Sequence, residues 1–241
     1  MEFEEWEPVY EAICAAFEFE RRDDERARDR LAELATPFDF DRLSAVRGAR
    51  VAIAGAGPSL ETEDALERAR TADVVIAAST AVDTLEAAGV PVDCMVTDLD
   101  KNPETVVSLT QRGTPVAVHA HGDNRAALER VVPRCAAASV CPTTQAAPTG
   151  PVVNVGGFTD GDRAAFLADY LGARDLVFVG WDVDDPTVSP TKAKKLAWAE
   201  RLLSWLERRR GDRFPILDGR RERLERELTA VTRVDGRCNN H

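Results

Sequence analysis

Residues 74–100 read VVIAASTAVDTLEAAGVPVDCMVTDLD. Two short apolar runs, Val74–Ala77 and Val92–Thr97, bracket a helical stretch over 80–88. Runs this short and this continuously apolar read as strands buried on both faces, and a helix between them makes their pairing parallel. The second run ends in Asp98-Leu99-Asp100. Two carboxylates two residues apart on a loop leaving a strand cannot both be buried unpaired, because burying an ionised carboxylate is costly. One reading supplies a hard cation such as Mg²⁺, which takes oxygen ligands and shares them with phosphates. The other is a solvated acidic turn.

The same texture extends outward from Arg50. Further strand-like runs fall at Val51–Ala54, Val116–His119, Ala138–Cys141, Val152–Val155 and Leu176–Val179, with helical stretches at 60–70, 103–112, 124–132 and 161–171. The expected fold class is α/β, a mostly parallel Rossmann-like sheet with helices on both faces. Right-handed crossovers then align the strands' carboxyl ends along one edge. Residues 1–46 form an N-terminal helical segment, with Trp6, Val9, Tyr10, Ile13, Ala16 and Phe17 as its apolar stripe. The run Glu18–Arg30 is almost wholly charged and reads as a solvated helix. Thr36-Pro37 and Gly48 separate this segment from an α/β domain over 47–241, which closes with helices at 192–209 and near 219–231.

The net charge of −11 excludes a general nucleic-acid surface. Of the 31 basic residues, 27 are Arg, and the acidic excess with scarce Lys suggests a salt-adapted cytosol. No apolar run approaches the ~20 residues of a membrane helix, and Met1–Glu7 is acidic where a signal peptide is basic. A cytoplasmic protein without a membrane partner is expected. The five cysteines are scattered, lack a C-x-x-C pair and read as reduced thiols. Cys135, Cys141, His119 and His121 match no familiar zinc spacing.

Four more loops carry chemistry-bearing residues. Gly55-Ala56-Gly57-Pro58-Ser59-Leu60 follows the first strand, either as an anion-binding turn at a helix start or as a tight turn without ligand. His119-Ala120-His121-Gly122-Asp123-Asn124 offers phosphate donors, a general base or a metal site, with Asp123 or Asn124 as an alternative N-cap. In Gly156-Gly157-Phe158-Thr159-Asp160-Gly161-Asp162-Arg163, Thr159 and Arg163 suit an anion, while Asp160 and Asp162 suit metal binding or helix capping. Gly180-Trp181-Asp182 pairs an aromatic with a carboxylate, to stack a heterocycle or to seal the sheet edge. Lys192, Lys194 and Lys195 crowd a helix start, against the macrodipole, so an anionic ligand or solvent must compensate them. Neither a nucleophile elbow nor a P-loop is present.

Taken in order, Gly57-Pro58-Ser59-Leu60, Thr97-Asp98-Leu99-Asp100, His119 to Asn124, Thr143-Thr144-Gln145 and Gly156 to Arg163 resemble the archaeal 6-hydroxymethyl-7,8-dihydropterin pyrophosphokinase family, the MptE type. The resemblance spans about residues 50–206. It implies a fold like the thiamin pyrophosphokinase catalytic domain. It also implies Mg²⁺-dependent transfer of diphosphate from ATP to the pterin hydroxymethyl group, in tetrahydrofolate or methanopterin biosynthesis. Carried over by motif, Asp98 and Asp100 would hold magnesium, and His121, Asp123 and Asn124 would line the nucleotide or transfer site. Thr159, Asp160, Asp162 and Arg163 would complete it, with Gly57, Ser59, Asp182 and Lys195 in the nucleotide- and substrate-binding set. His121 or Asp123 would accept the hydroxyl proton. Two departures stand out: Lys101-Asn102 after Asp100, where the family pattern has Gly and an acidic residue, and Trp181 where Met is usual. The partners implied are ATP and the pterin, and a homo-oligomer is compatible. Two other classes compete: a metal-dependent glycosyltransferase-like enzyme holding a nucleotide-sugar through Asp98-Leu99-Asp100, and a nucleotide-binding domain without turnover.

Overall fold

The computed structural model describes residues 1–234, with side chains through residue 227. Six strands form one sheet: β1 (Arg50–Ala54), β2 (Val74–Ala78), β3 (Cys94–Thr97), β4 (Val116–Ala120), β5 (Val140–Thr144) and β6 (Asp175–Val179). Their order is β5-β4-β3-β2-β1-β6, and every pairing is parallel. The chain steps outward from β1 to β5 and then returns to lay β6 against β1. Strand order therefore reverses between β1 and β6, the kind of position where open α/β sheets take ligands.

Most strand residues are apolar and buried because both faces of the sheet meet helices. In β1, Val51 and Ile53 join Val74, Ile76, Cys94 and Val96 in one core. Ala52 and Ala54 join Val75, Ala77 and Met95 in the other, as period-two alternation requires. Helices α1 (Phe3–Phe17), α7 (Asp160–Tyr170) and α8 (Pro190–Arg210) cover the first face. Helices α2 (Arg21–Leu34), α3 (Glu63–Arg70), α4 (Ala81–Ala87), α5 (Pro103–Gln111) and α6 (Arg125–Val131) cover the second. Helix α9 (Arg221–Val234) closes the described chain, and its Leu224 reaches the first core. No helix among the described residues is long and apolar enough to cross a membrane.

Two expectations need correction. Val152–Val155 is not a strand: it makes isolated bridges only, Val153 to Thr143 and Val152 to Thr149. Pro148, Gly150 and Pro151 lie just before that stretch, where Thr149 and Val152 pair across a tight turn. The charged run Glu18–Arg30 is not simply solvated. Within α2, Asp24, Ala27 and Leu31 are buried at helical spacing, and the charges flank that narrow stripe. With α1 on one face and α2 on the other, their connecting turn crosses beside the carboxyl ends of the strands.

Candidate active site

The loops leaving the six strands, the start of α7, the start of α8 and the α1–α2 turn enclose one cleft of about 740 Å³. Asp98 and Asp100 lie at its centre, past the end of β3. Leu99 between them takes a left-handed conformation, φ +68°, and is 2% exposed. Sinking Leu99 into the apolar layer turns the two carboxylates toward the cleft. The turn is closed by Leu99 N–H donating to Thr97 Oγ1 at 3.0 Å and Asp100 N–H donating to Asp98 Oδ1 at 3.2 Å.

His121 follows β4 and bridges two carboxylates, Asp98 Oδ2 at 3.3 Å and Asp123 Oδ1 at 2.6 Å. Burial opposes its charge, yet those two partners raise its pKa to about 9. The Asp123 carboxyl falls to about 2 through its hydrogen bond with His121. Burial pushes Asp98 up, but His121 and the Arg163 charge outweigh it and hold the carboxyl well below the usual range. Burial and the Asp98 charge move Asp100 in the opposite direction. The pair thus sits close enough for one carboxylate to resist the ionisation of the other. His121 carries a proton at neutral pH in this arrangement, so it acts as a cation among acids.

The α7 entrance adds a second charged pair. Asp160 Oδ1 accepts from Arg163 Nη1 at 3.1 Å, and burial with the nearby Asp98 charge raises its carboxyl to about 7. Arg163 Nη2 also donates to Gln145 Oε1 at 3.3 Å. Thr159 lines the cleft, but its hydroxyl is engaged by Asp162. Asp162 itself is fully buried in the capping box, accepting from the backbone of Phe158 and Thr159. It caps α7 and does not face the cleft.

Asn124 is likewise spent on architecture. Its amide donates to the carbonyls of Asp98, at 2.8 Å, and His119, at 2.6 Å, while its Oδ1 accepts from His121 N–H at 3.1 Å. It ties the β3 and β4 loops together from behind. His119 is buried beneath them, with Nδ1 3.0 Å from Thr143 Oγ1. Burial depresses its pKa well below the ordinary histidine value.

The glycine loop after β1 departs from the anion-cradle expectation. Gly55, Gly57 and Ser59 donate their N–H groups to Val179 O, Gly180 O and Asp182 Oδ2, at 2.9, 2.9 and 2.8 Å. A Cβ on Gly57 would lie 2.3 Å from Asp182 Oδ2, and one on Gly55 would lie 2.6 Å from Gly180 O. These glycines exist so that the β1 and β6 loops can touch. Gly57 and Asp182 line the cleft and Ser59 does not. Trp181 wedges between Gly55 and Gly161 and donates from Nε1 to Ile53 O at 3.1 Å.

Of the three clustered lysines, Lys192 and Lys195 face the cleft with Lys101. Burial, then the charge of Lys101, lowers the pKa of Lys192. Lys194 turns away, donating to Ala16 O and lying 4.5 Å from the Phe17 ring centroid. Lys101, a departure from the family pattern, adds a cation to the cleft.

Three cleft residues carry no signal in the sequence. Asp24 is 3% exposed and accepts from Tyr10 Oη, Gln145 Nε2 and Gly122 N–H, at 2.8, 2.8 and 2.7 Å. Phe19, 43% exposed on the α1–α2 turn, stacks on Phe17 at 5.4 Å. Ser79 directly follows β2, with φ +51°.

Among the described residues, no group of three or more His, Cys, Asp or Glu side chains forms a metal cage. Asp98 and Asp100 supply two carboxylates side by side. That donor set suits Mg²⁺, which keeps waters and shares phosphate oxygens with one or two carboxylates.

The family model described as 6-hydroxymethylpterin diphosphokinase MptE-like matches residues 26–187. A Pyrococcus furiosus protein named 6-hydroxymethyl-7,8-dihydropterin pyrophosphokinase is 36% identical over 225 residues, covering 86% of this chain and 95% of that protein. One of the same name from Methanothermobacter thermautotrophicus is 37% identical over 227 residues, covering 86% and 96%. Another from Methanocaldococcus jannaschii is 30% identical over 233 residues, covering 86% and 96%. The match takes in the loops after all six strands, and the relatives align along nearly their whole length, so the chain belongs to the MptE-like 6-hydroxymethylpterin diphosphokinase family.

Proposed function

We propose that this protein transfers diphosphate from ATP to the hydroxymethyl group of 6-hydroxymethyl-7,8-dihydropterin in a Mg²⁺-dependent reaction. The product would serve tetrahydrofolate or methanopterin biosynthesis. The observation that carries this reading is one cleft in which Asp98 and Asp100 face Lys101, Lys192, Lys195 and Arg163. Paired carboxylates opposite cations suit a metal–triphosphate complex, with charge of both signs to satisfy.

In the reaction, the hydroxymethyl oxygen attacks the β-phosphorus and its bond forms as the bond to the α-phosphate bridging oxygen breaks. AMP leaves with that oxygen, and the hydroxyl proton is released. Bound Mg²⁺ supplies neutralisation of phosphoryl charge, with Asp98 and Asp100 as its protein ligands. Lys192, Lys195 and Arg163 offset the charge that moves onto AMP. Protonated His121, held between Asp98 and Asp123, adds positive charge beside the phosphates. Asp160, titrating near neutrality, is better matched to accept the hydroxyl proton than Asp123 at about 2. Positioning and charge account for most of the acceleration, since phosphoryl transfer asks little covalent work of a protein.

The test is incubation with ATP, Mg²⁺ and the reduced pterin. The expected result is AMP and pterin diphosphate in equal amounts. ADP as the nucleotide product, or no pterin-dependent turnover, contradicts the reading.

A further inference from the structure

Ser79 is held in a state that its protein neighbours do not explain. Its φ of +51° lies in the left-handed region, which disfavours any residue with a Cβ. The residue is 6% exposed and lines the cleft. Its hydroxyl oxygen is buried without a hydrogen-bond partner among the described residues. The backbone is occupied: Ser79 N–H donates to Val96 O at 2.9 Å, and its carbonyl accepts from Val82 N–H at 3.4 Å. The sheet and the start of α4 therefore fix its conformation, and the hydroxyl contributes nothing to holding it. Glycine would adopt this φ freely. Backbone strain and an unpaired buried polar atom at one residue both oppose folding, and such features concentrate where a ligand completes them.

The sheet order says which ligand. β2 lies between β1 and β3, and neighbouring strands are ~4.8 Å apart. Ser79 thus sits between the switch-point loop Gly55–Gly57 and the carboxylate Asp98. A nucleotide whose phosphates reach Asp98 and Asp100 from the switch point passes over the end of β2.

We propose that Ser79 is a nucleotide-binding residue, whose hydroxyl hydrogen-bonds an oxygen of the donor's ribose–triphosphate chain. This rests on reading the cleft as an ATP-dependent diphosphotransferase site. Completion by the nucleotide pairs the hydroxyl at the moment it is needed.

The test uses the full chain, with Ser79→Ala to remove the hydroxyl and Ser79→Gly to remove both hydroxyl and strain. Binding of Mg²⁺–ATP is measured by calorimetry, beside Mg²⁺–tripolyphosphate, steady-state KM values and Tm. Both variants are expected to bind Mg²⁺–ATP about 10-fold more weakly, as for a lost hydrogen bond to a charged or polar oxygen. Pterin KM stays at the wild-type value and Tm does not fall, because no protein contact is lost. Parallel weakening of tripolyphosphate assigns the contact to phosphate; weakening of ATP alone assigns it to ribose. Unchanged ATP affinity, equal losses for ATP and pterin, or weakening accompanied by a lower Tm would overturn the proposal. Nucleotide binding is read without turnover. A wild-type chain that binds Mg²⁺–ATP but does not modify the pterin therefore breaks the functional reading separately.

Discussion

Asp24 and Asp98 border the same cleft, yet their surroundings are opposite. Asp24 accepts from a tyrosine hydroxyl, a glutamine amide and a backbone N–H, all neutral and all within 2.8 Å. Asp98 has a second carboxylate beside it and is held by the charges of His121 and Arg163. A carboxylate whose donors are complete joins elements together; here it locks α1, α2, β4 and β5 into the rim of the cleft. A carboxylate crowded by its own kind has an affinity for cations left over. The residue type is the same, Asp24 is buried and Asp98 half-buried, and the partner set separates architecture from chemistry.

That contrast breaks most directly under exchange of each carboxylate for its amide. Asp98→Asn is expected to reduce kcat by at least ~10³-fold, the scale on which one charge-stabilising group acts. Its Tm without metal should fall only slightly, since the relieved repulsion of Asp100 offsets part of the lost attraction of His121 and Arg163. Asp24→Asn should do the reverse. An amide NH₂ in place of one oxygen would meet either the Gly122 N–H or the Tyr10 and Gln145 donors, and the loss of stability should be about 2–4 kcal/mol, read by urea unfolding. The folded fraction should keep its kcat. Equal effects of the two variants on stability and turnover would erase the distinction.

The pH dependence of stability sharpens it further. His121 binds its proton up to about 9 in the folded state, against an ordinary value of 6.5, and Asp160 up to about 7 against 3.8. Both groups hold protons more tightly folded than unfolded. Their contribution is complete at low pH and is lost as pH rises, over 3.8–7 for Asp160 and over 6.5–9 for His121. In EDTA, Tm should therefore fall between pH 5 and pH 9.5. Asp160→Asn should flatten the lower part of that decline and His121→Asn the upper part. A Tm that rises through pH 7–9 in the wild type contradicts the protonated His121.

The smallest expected effect separates lysines of the α8 entrance. Lys195→Ala should raise the KM for ATP by about 10-fold, as for loss of one charged contact. Lys194→Ala should leave it unchanged, because that side chain serves α1. Equal shifts would place both lysines on the nucleotide.

The sheet was legible because β1 to β4 and β6 are short apolar runs set between helical stretches, and burial on both faces demands that pattern. Val152–Val155 carries a similar pattern but pairs only through isolated bridges, Val153 with Thr143 and Val152 with Thr149. That Asp98 and Asp100 line the cleft was legible because they leave a strand end, and that Asp160, Lys192 and Lys195 do so because they lie in the first turns of helices. Asp162, Asn124 and Ser59 are the same types in the same loops, spent on neighbours. What separates the two groups is a set of distances that linear spacing does not contain. Ser79 and Asp24 were illegible for a related reason: one is defined by a dihedral and the other by burial inside a charged run.

The most direct measurement is the Mg²⁺ dependence of binding for a non-hydrolysable ATP analogue, compared between the wild type and Asp98→Asn by calorimetry. Tight binding that requires Mg²⁺ in the wild type, with the Mg²⁺ requirement lost in the variant, is the predicted result. The same Mg²⁺ dependence in both proteins would show that Asp98 does not hold the metal against the phosphates, and would contradict the assignment of the cleft.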